Sequence, residues 1–186
     1  MQTILPPLSL QDHLRGDPSG AITLIEYGDY QCPYCASAEP VVSEVMRRYK
    51  GVRQTFRHFP LVDVHDMAKP AAETAEFAAS HGEFWAMHGA LMANSAKLSI
   101  TFLLALTREL GLPQDELRDG LVNSTFEPKI GHDFARGMLN GVEGTPTLFV
   151  NGLRYIGPIT VRALGAAVDT ARGGVITTEP RIHIRA

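Results

Sequence analysis

Cys32 and Cys35 are the only cysteines in this chain of 186 residues, and two residues separate them as Cys32-Pro-Tyr-Cys35. A C-x-x-C pair is a spacing for dithiol redox chemistry or for half of a metal site. The pair follows an apolar, β-rich run and opens a stretch with helical periodicity, so it falls at a strand-to-helix turn. At a helix start, unpaired N–H groups and the positive end of the dipole favour an anion. Cys32 is therefore expected to carry a stabilised thiolate, with Cys35, one turn inside, as the shielded resolving thiol. Pro33 suits the first helical turn, where no donor is needed. Tyr34 lies between the cysteines, is not deeply buried, and should shape substrate contact and the field at Cys32. Stabilising the thiolate also stabilises the reduced pair, and each ~1.4 kcal/mol makes the oxidised form about 30 mV more oxidising. The competing reading is zinc, completed by histidines such as His58, His65, His81, His88 or His132. No His pair with finger spacing occurs, and two thiols alone make neither a zinc site nor a disulfide scaffold, so no metal is expected.

Composition narrows the classes further. The chain is 45% hydrophobic and 20% charged with a net charge of −3, which suits one globular domain and gives no basic footprint for nucleic acid. The longest apolar run, Phe102 to Leu106, falls far short of a membrane span. Met1 to Pro7 lacks a basic region, and Pro6-Pro7 interrupts any apolar one, so no leader is read there. A native start at Met1 implies a cytoplasmic protein; a processed or excised form implies a periplasmic one or a part of something larger.

The elements that must position the cysteines follow from periodicity. Residues 1–20 read as a turn-rich lead-in, 21–27 as a strand and 33–49 as a helix that Pro40 should kink. A second strand over 52–59 stops at Pro60, and Arg57-His58 reads as its solvated end. Residues 66–140 turn to Ala, Leu, Glu and Met, with helices predicted over 67–80, 83–93, 99–110, 114–121 and 125–139. Phe84, Trp85 and Met87 read there as core. Strands at 146–150 and 153–156 flank Asn151-Gly152, a hairpin turn that needs positive φ at both residues. A helix over 161–171 closes the domain, and residues 181–186 alternate like an edge strand. The class is α/β: β-α-β, then β-β-α around a mixed sheet formed by 21–65 and 141–172, with 66–140 as an inserted helical subdomain and 173–186 as a tail.

Ile25-Glu-Tyr-Gly-Asp-Tyr-Gln-Cys-Pro-Tyr-Cys35 resembles the active-site segment of the DsbA-like thiol–disulfide oxidoreductases, a bacterial family with a thioredoxin fold and an inserted helical domain. Phe56 to Leu61, Phe84 to Leu91 and Gly141 to Thr147 carry the same likeness, which spans about residues 20–172. The resemblance implies that Cys32 is the nucleophile, Cys35 resolves, and Thr145-Pro146 is a cis-proline loop that faces the cysteines and pairs with a substrate strand. Gly144 would lend that loop backbone freedom. Glu26 matches the family's buried acid. A carboxyl inside Leu24-Ile25-Glu26-Tyr27 is costly unless paired or shuttling a proton, and burial would raise its pKa so that it could take the Cys35 proton. Asp29 either ties the turn or is a plain exposed turn residue.

The resemblance implies no cofactor beyond the redox-active disulfide Cys32–Cys35, protein thiol or disulfide substrates, and a redox partner protein. An isomerase of this kind usually needs a dimerising extension, and only a turn-rich lead-in precedes Cys32, so a monomeric oxidase or reductase is expected. A non-catalytic sensor or binding domain on the same fold is the alternative. The glutathione-dependent relatives of the fold typically lack a second cysteine, and Cys35 argues against them.

Overall fold

The computed structural model describes residues 7–173; the alternating tail at 181–186 lies outside the described residues. In chain order it contains β1 (His13–Gly16), β2 (Ile22–Gly28), α1 (Pro33–Arg48), β3 (Val52–His58), α2 (Ala68–Ser80), α3 (Phe84–Ala93) and a short 3-10 turn (Ser95–Lys97). Then follow α4 (Ile100–Glu109), α5 (Gln114–Val122), α6 (Glu127–Leu139), β4 (Thr147–Val150), β5 (Leu153–Arg154) and α7 (Val161–Gly173). The sheet order is β1-β3-β2-β4-β5. β2 is parallel to β3 and antiparallel to β4, so it is a central strand of a mixed sheet. This is the mixed-sheet α/β order that the periodicity predicts, with five α-helices between β3 and β4, where the resemblance implies a helical insertion.

Burial explains the layers. Ile22 and Leu24 face Val42 and Val45 of α1 and Leu164 and Val168 of α7, while Ile25 and Tyr27 on the opposite face meet Phe59, Val142 and Phe149. A third cluster joins the sheet to the inserted helices: Tyr30, Cys35 and Phe56 pack with Ala75, Phe84, Met87, Leu91 and Leu103. The predicted core role of Phe84 and Met87 is seen there, whereas Trp85 is only partly buried. α1 runs unbroken through Pro40. Asn151 and Gly152 turn the β4–β5 hairpin with φ of 46° and 79°, the positive pair that the turn requires.

Two expectations are corrected. The lead-in is not only turns, because β1 pairs antiparallel with the edge of β3, His13 opposite Phe56 and Arg15 opposite Gln54. Nor is Arg57-His58 a solvated strand end, since both side chains are about 1% exposed. Their partners arrive from distant segments. Arg57 donates Nε to Asp12 Oδ1 at 2.9 Å, Nη2 to Asp12 Oδ2 and to the Pro7 carbonyl at 2.7 Å each, and Nη1 to the Tyr27 hydroxyl at 3.0 Å. His58 Nε2 meets Glu76 of α2 at 2.7 Å, and His13 Nε2 meets the same carboxylate at 2.9 Å. Removing one member of a buried ion pair strands the other charge, at about 3–5 kcal/mol. Asp12→Ala should therefore lower stability in urea denaturation by roughly 3 kcal/mol, and Asp12→Ala with Arg57→Met should recover much of that loss.

Candidate active site

β2 delivers the chain to the cysteines through Gly28 and Asp29. A Cβ on Gly28 would lie 2.3 Å from the Phe56 ring, so the strand ends there without a side chain. Asp29 is buried, not an exposed turn residue. Its carboxylate accepts from the backbone N–H of Gln31 at 2.8 Å and of Leu61 at 2.9 Å, and pairs with His65 Nδ1 at 2.8 Å. Its own carbonyl accepts from Cys32 N–H at 3.2 Å, and its own N–H points to Cys35 Sγ at 3.5 Å. One aspartate thus ties both cysteines and the loop after β3 to a single turn.

Cys32 is the N-cap of α1, and Pro33 takes the first turn. Both thiols are free. Cys32 Sγ lies 3.5 Å from the Thr145 carbonyl, across the cis Thr145-Pro146 bond that the resemblance implied. Gly144 does not have positive φ; Gly141, three residues earlier, does, so the freedom is used at the end of α6. Tyr34 is 73% exposed and lines a groove with Ser37, Ala38, Thr145, Pro146 and Ile159. A larger apolar hollow between β5 and α7, lined by Leu153, Tyr155 and Ala167, contains none of these residues.

The two sulfurs have opposite proton affinities. A hydrogen bond from Cys35 is the largest influence on Cys32; burial opposes it, but Thr145 and the backbone N–H groups of Cys35 and Tyr34 add to it, and the thiol falls to about 5. The Thr145 hydroxyl has no hydrogen-bond partner of full geometry among the described residues, so its proximity to Cys32 is what it contributes. Cys35 is pushed far above an ordinary cysteine by that same hydrogen bond, by its complete burial and by the charge of Glu26.

Glu26 is fully buried on the central strand, and burial followed by the nearby charge of Glu39 raises it to about 8. Its Oε2 accepts from Gln54 Nε2 at 3.2 Å, while Oε1 has no partner among the described residues. Glu39, one helical turn beyond Cys35, is the reverse case. Burial works against its charge, but His88, Arg15 and Ser43 overcome that and hold it at about 2. Arg15, Tyr30, Glu39 and Gln54 were not read as site residues from the sequence, and His88 was weighed only as a zinc ligand. Gln54 and Glu39 carried a weak signal, as polar residues on the inward faces of β3 and α1; Arg15 carried none.

A thioredoxin family model matches residues 9–170. A thioredoxin-like oxidoreductase from Silicibacter pomeroyi superposes with a TM-score of 0.80 at 30% identity, over 89% of this chain and 94% of that one. Alpha-DsbA1 of Wolbachia pipientis reaches 0.79 at 21% identity over 91% and 94%, and oxidised BdbD of Bacillus subtilis reaches 0.79 at 18% over 87% and 92%; at these identities the likeness is one of fold. Among curated relatives, a Na(+)/H(+) antiporter NhaA 3 of Salinispora tropica is 44% identical over 161 residues, which are 87% of this chain and 25% of that protein. The chain spans about a quarter of the length of the curated relatives it matches.

Two outcomes follow from these proton affinities. Thiolate absorbance should titrate Cys32 near 5, and Cys35→Ala should move the midpoint toward that of ordinary cysteine. Glu26 is protonated in the folded chain and ionised in the unfolded one between about 4.5 and 8, so unfolding releases a proton there and stability falls as pH rises. Urea denaturation should find Glu26→Gln more stable than the parent by roughly 2–3 kcal/mol at pH 7, with the gain near zero at pH 4.

Proposed function

The chain belongs to the thioredoxin family, in its DsbA-like arrangement, and on that premise we propose that it is a dithiol–disulfide oxidoreductase which exchanges disulfides with protein thiols through Cys32. The observation that carries this reading is the inequality of two adjacent sulfurs, one readily ionised and one held as a thiol, opposite the cis Thr145-Pro146 loop.

In the reducing direction, the Cys32 thiolate attacks a substrate disulfide. A Cys32–substrate bond forms, the substrate disulfide breaks, and one substrate sulfur leaves as a thiolate. Cys35 then gives its proton to Glu26 in its ionised form, the minor one at pH 7, and the new thiolate attacks Cys32 Sγ. The Cys32–Cys35 disulfide forms, the mixed disulfide breaks, and the second substrate sulfur leaves with the electron pair. Two electrons pass from protein to substrate, and the two cysteines carry them without a further group. In the oxidising direction the steps run in reverse. At pH 7 the reduced pair holds Cys32 almost wholly as thiolate, which favours that form by on the order of 60 mV over an un-ionised pair and makes the disulfide the stronger oxidant.

Tyr34, Thr145 and Pro146 line the groove where a substrate segment would lie, Pro33 is exposed next to Tyr34 in the first turn of α1, and the Thr145 backbone would pair with the segment. The antiport named for the long relatives is a property of those proteins, and the proposal concerns only the part that they share with this chain. Among the described residues no helix is long and apolar enough to cross a membrane.

Cys35→Ala should accumulate mixed disulfides with disulfide-bonded or scrambled protein substrates, visible by non-reducing electrophoresis, and Cys32→Ser should abolish insulin reduction. Absence of trapped adducts, or turnover that survives Cys32→Ser, would sink the exchange reading. Reversible oxidation of the pair without turnover would replace it with a sensor.

A further inference from the structure

Behind the cysteines a second layer of polar side chains reaches Glu26 from β1. Arg15 lies directly opposite Gln54 in the β1–β3 register, and both point to the face of the sheet that carries Glu26. Arg15 Nε donates to Gln54 Oε1 at 2.7 Å, and Gln54 Nε2 donates to Glu26 Oε2 at 3.2 Å. Arg15 Nη2 donates to both oxygens of Glu39, at 3.0 and 3.2 Å. Its guanidinium sits 4.3 Å over the ring of Trp85, the only tryptophan in the chain. On the far side of Glu39, His88 Nε2 approaches at 3.1 Å, with the Tyr30 hydroxyl 3.1 Å from its Nδ1.

We propose that Arg15 is a positioning residue for proton transfer from Cys35, acting through the Gln54 amide and the Glu39 charge to keep Glu26 able to accept that proton. The inference rests on the exchange reading above, with Glu26 as the acceptor. Its reasoning is stereochemical. A guanidinium only donates, so Arg15 turns the Gln54 oxygen toward itself and leaves the amide NH2 to face Glu26. An NH2 donor favours the carboxylate form of Glu26; a flipped amide would offer its C=O to the protonated acid and lock the proton in place. The second route is charge. Cys35 and Glu39 of α1, Gln54 of β3, Arg15 of β1 and Tyr30 of the turn surround Glu26, and the negative neighbour, Glu39, opposes its ionisation. Arg15 neutralises Glu39 and adds its own positive potential. Loss of Arg15 therefore removes the orienting contact, the neutralisation and the cation together, and all three changes hold the proton more tightly on Glu26.

The test uses the full chain with Arg15→Gln, and with Gln54→Met, which breaks the amide relay while leaving Arg15 on Glu39. The Glu26 carboxyl carbon is followed by NMR against pH, and release of substrate from the Cys32 mixed disulfide by Cys35 is timed in single turnovers. Both variants should raise the Glu26 midpoint, Arg15→Gln by more. Release at pH 7 should slow by about three- to tenfold and converge with the parent above the raised midpoint. Trp85 fluorescence reports that the guanidinium has left the ring in a chain that is still folded. An unmoved midpoint in folded Arg15→Gln, or the same slowing at every pH, overturns the proposal; if that variant does not fold, Gln54→Met decides by the same criteria. Glu26→Gln separates the two levels: release as fast as in the parent would remove Glu26 from the reaction and overturn the reading on which Arg15 depends.

Discussion

The opposite proton affinities of two neighbouring sulfur atoms organise this molecule. The hydrogen bond from Cys35 to Cys32 is the largest single influence on both, and it lowers one as it raises the other. It holds only if Cys35 stays dry and Cys32 stays at the start of α1. The first condition comes from the inserted helices, which close an apolar cluster over Cys35 with Phe56, Phe84 and Met87. The second comes from Asp29, whose buried carboxylate gathers the N–H groups of Gln31 and Leu61 while its backbone touches both cysteines. The turn is set by these contacts, and the thiols inherit their difference from it.

The same region shows how surroundings, rather than residue type, decide ionisation. Glu26 and Glu39 are both buried and act on one another, yet one is held at about 8 and the other at about 2. Glu26 has one neutral amide donor; Glu39 has a guanidinium, an imidazole and a hydroxyl. A carboxyl rich in donors becomes a fixed charge, and a carboxyl poor in donors becomes a reservoir for a proton. The chemistry of the cysteine pair needs the second kind, and the fold tolerates it only because the first kind is paired so completely.

Much of this was legible in the residues, for reasons that are local. The helices announce themselves through apolar repeats, the hairpin through Asn151-Gly152, and the reactive pair through its spacing after a strand. Glu26 stood out because a charge inside an apolar strand has to be explained. What escaped was whatever depends on a distant partner. β1 is four residues long, with Leu14 exposed, and exists because β3 offers it an edge. Arg57 looked like a solvated strand end because Asp12, 45 residues earlier, is invisible from its neighbourhood. Glu39, for all its place on the inward side of α1, showed no sign of its partners, since Arg15 is 24 residues before it and His88 is 49 after. Period and turn chemistry are written along the chain; charge pairing is written across it.

The cluster that buries Cys35 has a consequence for transplanting such sites. Its walls come from β3, α2, α3 and α4 as well as from the helix that bears the cysteines. Grafting Cys-Pro-Tyr-Cys onto the first turn of another helix would carry over the sulfurs and the dipole, but the second thiol would meet water and lose its reluctance to ionise. The pair would become two similar thiols with no rank between them. The four residues name the reactants, and the helices and strand around them decide which one moves first.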